Sequence, residues 1–168
     1  MVRMIRKIAA AAAACMACST GHCIDGVSVE IGRGDDRTSL LRVSIVDFWR
    51  KREAPAPVWR LAGYWDFSAA VWDNAEESTA DVGITPVFRF ERRWYYVEAA
   101  VGVHFVQAHI SAHRSFSTAL QFGEHAGLGV RSGRYDVSAR IQHLSNGGVS
   151  SPNPGINFVL VRLQYDLE

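Results

Sequence analysis

Apolar and polar residues alternate along this chain from about residue 24 onward, and turn-forming residues break the alternation at intervals. A period of two marks strands with one face buried, and no segment of the body keeps a helical period. Runs of this kind occupy roughly 24–33, 39–49, 58–71, 81–91, 94–106, 118–131, 135–145 and 157–167. The connections between them are unequal. Those after the second, fourth and sixth runs are tight or turn-like (50–57, Arg92-Arg93, Ser132-Gly133-Arg134). The others carry Gly34-Asp35-Asp36, the acidic stretch 73–77, residues 107–117 and the Gly-rich 147–155. Strands of about ten residues, with short turns at one end and longer loops at the other, predict an all-β chain closed as an eight-stranded antiparallel barrel.

The faces of the strands bear on which solvent surrounds that barrel. In the fifth run Tyr95, Val97, Ala99, Val101, Val103 and Phe105 share one face, with Glu98, Gly102 and His104 on the other. In the seventh, Val137, Ala139 and Ile141 oppose Asp136, Ser138, Arg140 and Gln142; in the eighth, Val159, Val161, Leu163, Tyr165 and Leu167 oppose Arg162, Gln164 and Asp166. A membrane barrel puts the apolar face outward and pairs the charges inside, whereas a soluble, lipocalin-like barrel presents those charges to water. Parity alone leaves both open. The tryptophans favour the membrane barrel: Trp49, Trp59 and Trp94 fall at one set of strand ends and Trp72 at the other, as two interfacial girdles would.

The first residues add to this. Arg3, Arg6 and Lys7 precede Ile8 and six alanines, followed by small residues around Ala17, Cys18 and Ser19. That is the pattern of a signal peptide over about residues 1–22, too short and weakly apolar for a transmembrane helix, with the barrel domain over 23–168. Cys15, Cys18 and Cys23 all lie in or just after it, so a disulfide framework is not expected in the body. Removing the leader takes away three of 18 basic residues and none of 17 acidic ones, changing the formal charge from +1 to −2. A near-neutral exported product gives no reason to expect nucleic-acid binding.

Candidate chemistry gathers at the end of the seventh run. His143 and Ser145 share the face of Val137, Ala139 and Ile141, so both are expected on the lipid-facing wall. Asn157 has the same parity as Val159 and Val161, and the last hairpin is expected to bring it opposite Ser145. The plainer reading is that strand ends turn polar where they leave the bilayer. Against it stands position: with both termini periplasmic, this hairpin lies level with the outer leaflet, where an enzyme meets lipid without extracting it. A serine hydroxyl needs a base, and His143 is in reach on its own strand face. The imidazole in turn needs an acceptor, and a tetrahedral intermediate needs donors. The Asn146 and Asn153 side chains and the amides of Gly147 and Gly148 are candidate donors.

His143-x-Ser145-Asn146, followed by Pro152-Asn153 and Gly155, together with Gly63-Tyr64-Trp65-Asp66 and Pro86-Val87-Phe88, resembles the PagL-type lipid A 3-O-deacylases of the Gram-negative outer membrane. The resemblance spans most of the body. It implies an eight-stranded outer-membrane barrel that hydrolyses the ester-linked 3-hydroxyacyl chain at position 3 of lipid A, without metal or cofactor, with lipid A of the outer leaflet as its partner. By position His143 corresponds to the general base and Ser145 to the nucleophile, with Asn146, Gly148 and Asn153 as site-shaping or oxyanion positions. One departure stands out: the family pattern has a glutamate as third triad member where this chain has Asn157. An amide oxygen accepts a hydrogen bond from imidazole but does not offset the imidazolium charge.

A turn centred near Gly133 places Glu124 near His143 on the outward face, making it a candidate substitute acid; its plainer reading is a surface carboxylate paired with arginine or a lipid-bound cation. His104 is expected in the lumen as a hydrogen-bonding group, and Glu98, Arg140, Arg162 and Asp166 as interior ion-pair members. His109, His113 and His125 show no metal-ligand spacing, and Arg114, in a loop, is a candidate contact for lipid phosphates. The rival to an enzyme is a non-catalytic structural or adhesion barrel, and a third reading is a phospholipase on the same scaffold.

Overall fold

In a computed structural model, residues 24–50, 57–74, 78–107 and 116–167 are described. Residues 1–23, with the expected leader and all three cysteines, and His109, His113 and Arg114 lie outside them. Among the described residues eight strands form one closed antiparallel barrel, each paired with its neighbours in sequence and the first with the last. They are β1 (Gly26–Gly34), β2 (Ser39–Phe48), β3 (Arg60–Asp73), β4 (Ser78–Arg92), β5 (Tyr95–Val106), β6 (Leu120–Ser132), β7 (Tyr135–Ser145) and β8 (Ile156–Asp166). Strands of 9 to 15 residues suffice to cross a bilayer at the usual barrel tilt. The alternation expected from sequence is the observed one, so the boundaries differ from expectation by only a few residues.

The wall is apolar outward. Val97, Val101, Val103 and Phe105 on β5, Val137 and Ile141 on β7, and Val159, Val161 and Leu163 on β8 are all exposed. Inside, Arg42, Arg89, Arg140 and Arg162 are buried with Glu30, Asp66, Asp81, Glu98 and Asp136. Burying charge is tolerable only when it is paired, and these residues are. Arg140 meets Glu98 at 2.7 Å and Glu30 at 2.9 Å. Arg89 meets Glu98 and Asp136, each at 3.0 Å, and Arg162 meets Asp66 at 3.1 Å. His104 is held by Asp81 through Nδ1 at 2.9 Å, as a lumen hydrogen-bonding group. Asp166 is also interior and accepts from Gln164 Nε2 at 2.8 Å. An apolar outside over a charged inside is the inversion that a membrane-spanning barrel requires.

The two barrel ends differ from the middle and from each other. At the end bearing the β7–β8 connection, Leu40, Ala70, Trp72, Val106, Leu144, Ile156, Phe158 and Leu160 fill the lumen as an apolar plug. Trp72 therefore does not belong to an outer girdle: it is 4% exposed and packs edge-on against Phe116 and Phe158. Its parity on β3 matches that of inward Tyr64, Asp66 and Ala70. At the opposite end the expected girdle does form. Trp59 stacks on Phe90 at 4.9 Å, Trp49 packs against Phe88 and Trp65, and Trp94 packs against Tyr95.

Candidate active site

Three elements converge at the plugged end. β7 contributes His143 and Ser145 as its last two outward residues, and β8 contributes Asn157 as its first. The third is the β1–β2 connection, where Asp35–Arg37 form a tight turn with left-handed backbone. Asp36 and Arg37 both have positive φ there, and Thr38 N–H donates to Asp35 O at 3.0 Å.

The register pairs His143 with Asn157 on one side and with Glu124 of β6 on the other. Glu124 thus lies where the Gly133 turn predicts. Asn157 does not lie opposite Ser145: it faces His143, because the β7–β8 ladder ends at Leu144↔Ile156, while Ser145 pairs with Phe122 of β6. His143 Nδ1 lies 2.8 Å from Asn157 Oδ1. An amide oxygen only accepts, so Nδ1 is the donor, and in the neutral imidazole the lone pair is then on Nε2. Asn157 is itself anchored, its backbone N–H and its Nδ2 both donating to Asp35 Oδ2 at 3.0 Å. The far edge of the His143 ring lies against Gly155: a Cβ there would sit 2.6 Å from Cε1 and 3.0 Å from Nε2.

The loop that leaves Ser145 is braced by Asn146. Its side chain is buried; Nδ2 donates to Ser117 Oγ and to Ser150 O at 2.8 Å, and Oδ1 accepts Gly148 N–H at 2.9 Å. Asn146 N–H donates to Asn153 Oδ1 at 3.0 Å. The Asn146 amide and the Gly148 N–H are therefore committed to the loop's own shape. One backbone donor is aimed at the hydroxyl: Gly147 N–H, 3.4 Å from Ser145 Oγ. Below the loop a groove of about 710 Å³ runs along the outer wall, lined by Arg33, Asp35, Glu124, Ile141, His143 and Asn157 among others. It opens laterally, toward lipid.

Sequence reasoning named His143, Ser145, Asn157, Glu124, Asn146, Gly147, Gly148 and Asn153, but neither Asp35 nor the Ser117 and Ser150 that hold Asn146. The signal for Asp35 lay in barrel closure: β1 and β8 pair through Gly34↔Phe158, so the next residue of each strand, Asp35 and Asn157, must come together.

The sequence model of the family described as "Lipid A 3-O-deacylase (PagL)" matches residues 40–166. The lipid A deacylase PagL of Bordetella bronchiseptica is 32% identical over 111 residues, covering 62% of this chain and 58% of that protein. That of Pseudomonas aeruginosa is 26% identical over 137 residues, covering 77% of this chain and 79% of that protein. This chain thus spans less than two thirds of the Bordetella relative. The crystal structure of the outer membrane enzyme PagL superposes with a TM-score of 0.75 at 25% identity, over 83% of this chain and 98% of that one. A de novo designed transmembrane β-barrel, with a TM-score of 0.55 at 9% identity over 88% and 98% of the two chains, shares the fold alone. With its sequence matched over well more than half its length, and with its barrel superposing on that enzyme's, this chain belongs to the lipid A 3-O-deacylase (PagL) family.

Proposed function

We propose that this chain is an outer-membrane lipid A 3-O-deacylase working by a serine–histidine mechanism. One observation carries the mechanism: Asn157 Oδ1 lies 2.8 Å from His143 Nδ1, an acceptor that leaves Nε2 as the basic nitrogen, on the outward face that His143 shares with Ser145. Ser145 Oγ attacks the carbonyl carbon of the 3-hydroxyacyl ester while His143 Nε2 takes its proton. Gly147 N–H, aimed at Ser145 Oγ, and the Asn153 side-chain amide are the donors assigned to the oxyanion that forms. Collapse breaks the bond to the sugar oxygen, which receives the proton from Nε2 and leaves as the 3-hydroxyl. Water then attacks the acyl-serine, His143 takes the water's proton and returns it to Oγ, and a 3-hydroxy fatty acid departs. Asn146 and Gly148 act by shaping the loop that carries the donors. The substrate enters from the outer leaflet, sideways into the groove, because His143 and Ser145 face outward and the lumen behind them is filled by the apolar plug. In this reading residues 1–22 are the export signal and the barrel begins near residue 23.

Mass spectrometry of lipid A from cells with and without the protein tests this. The protein should remove one 3-hydroxyacyl chain, and Ser145→Ala and His143→Ala should each abolish its release while the barrel folds. The intact mass of the membrane-extracted chain should lack the leader. Unchanged lipid A with a folded wild-type barrel favours the structural or adhesion reading, lysophospholipid release favours a phospholipase, and full activity in either variant overturns the mechanism.

A further inference from the structure

A neutral amide at 157 orients the imidazole but leaves the positive charge that develops on it unbalanced. An amide is also two-faced: turned over, it would offer Nδ2 to the ring and select the tautomer with hydrogen on Nε2, which cannot take the serine proton. Something has to fix the amide's orientation. Asp35 Oδ2 accepts both Asn157 Nδ2 and Asn157 N–H at 3.0 Å, so the amide nitrogen is drawn to the carboxylate and the oxygen faces His143. The carboxylate is well placed to hold that orientation. Gly34 N–H donates to Thr38 O at 2.8 Å and Thr38 N–H to Asp35 O at 3.0 Å, closing the turn, and Gly34 is locked into the β1–β8 ladder.

We infer that Asp35 is a positioning residue of this site: it fixes the Asn157 amide so that its oxygen meets His143, and supplies, one side chain removed, the negative charge that a carboxylate at 157 would supply directly. The inference rests on the deacylase reading. Glu124 faces the same imidazole from β6, but the Nδ1 hydrogen bond runs to Asn157 and on to Asp35, so Asp35 is the acid coupled to the base.

The test is a double-mutant cycle on the full mature chain, reconstituted in vesicles containing lipid A, with folding followed by the mobility of the unheated barrel on gels. Asp35→Asn should lower kcat about 10- to 100-fold, the range seen on removing the hydrogen-bond partners that orient metal-bound histidines from behind, with little change in KM. In an Asn157→Glu background the sign should invert. There the imidazole has its own carboxylate and Asp35 is a like-charged neighbour, so Asp35→Asn should leave kcat unchanged or raise it. Wild-type kcat in Asp35→Asn, or the same loss in both backgrounds, overturns the inference, the latter because a merely structural role is additive. A readout that needs no turnover separates this failure from failure of the deacylase reading. The nitrogen chemical shifts of His143 should report the Nδ1-protonated tautomer in the wild type and a mixture in Asp35→Ala. The same tautomer in both sinks the inference, whereas an inactive wild type with the expected shifts sinks only the deacylase reading.

Discussion

At the scale of single residues, the site depends as much on an absent side chain as on those present. Gly155 has φ +59, a conformation that costs an L residue roughly 1–2 kcal/mol, and its missing Cβ is the space the imidazole edge occupies. A methyl at 155 would overlap Cε1 at 2.6 Å and crowd Nε2, the atom that must reach Ser145. Gly155→Ala should therefore displace the ring and lower kcat by about 100-fold, the scale of an ångström's misplacement of a reacting group. The folded-barrel gel band should persist, since Gly155 lies outside the ladders. Steady-state kinetics on vesicles decides it, and an unchanged kcat would show that the ring does not hold this position in the working enzyme. Ser145 and His143 were legible because alternation fixes which wall they face. Asp35 was not: it lies 122 residues from Asn157 in sequence, and only closure of β1 on β8 joins them.

At the scale of elements, the β7–β8 connection is braced by the buried Asn146 side chain, with Asn153 accepting from the Asn146 backbone N–H. Asn146 ties β7 to Ser150 and Gly148 within the loop and to Ser117 at the mouth of β6. Asn146→Ala leaves these groups without that partner, at about 1–3 kcal/mol for each one that stays dry. The loss should fall on the loop, so the Gly147 and Gly148 amides should exchange hydrogen faster while the β7 and β8 amides keep their protection. Protection lost equally along both strands would mean that the loop and barrel are one cooperative unit. The same connection accounts for the one misjudged register. Sequence reasoning treated it as a simple hairpin and set Asn157 opposite Ser145, but the loop folds on itself through Asn146 and Asn153, and the ladder begins one step earlier. Trp72 shows the complementary error. Its strand-end position suggested a girdle, whereas its parity, the better guide, pointed it into the lumen.

For the whole molecule, the question is whether the charged middle of the lumen is a packed core or a wet one, because a wet lumen would not hold the wall rigid behind the site. Glu98 lies at the crux. It accepts from Arg140 Nε at 2.7 Å, from Arg89 Nε and Nη2 at 3.2 and 3.0 Å, and from the Tyr64 hydroxyl at 3.3 Å. Glu98→Ala removes a carboxylate shared by two buried arginines, which retain only Glu30 and Asp136 respectively among the ion pairs described here. In a dry lumen this should cost about 3–5 kcal/mol, the usual penalty for stranding buried charge. Tyr64→Phe removes a hydroxyl that bonds to the same charged groups and should cost less, about 1.5–3 kcal/mol. In a water-filled lumen both losses shrink toward zero, because water solvates whatever is exposed. Denaturant unfolding of the reconstituted barrel distinguishes the cases: a large shift in midpoint for Glu98→Ala and a smaller one for Tyr64→Phe mark a packed interior, and two negligible shifts a hydrated one. A packed interior gives the outer wall that carries His143 and Ser145 a rigid backing, so the spacing of the two side chains is set by the ion-paired lumen behind them.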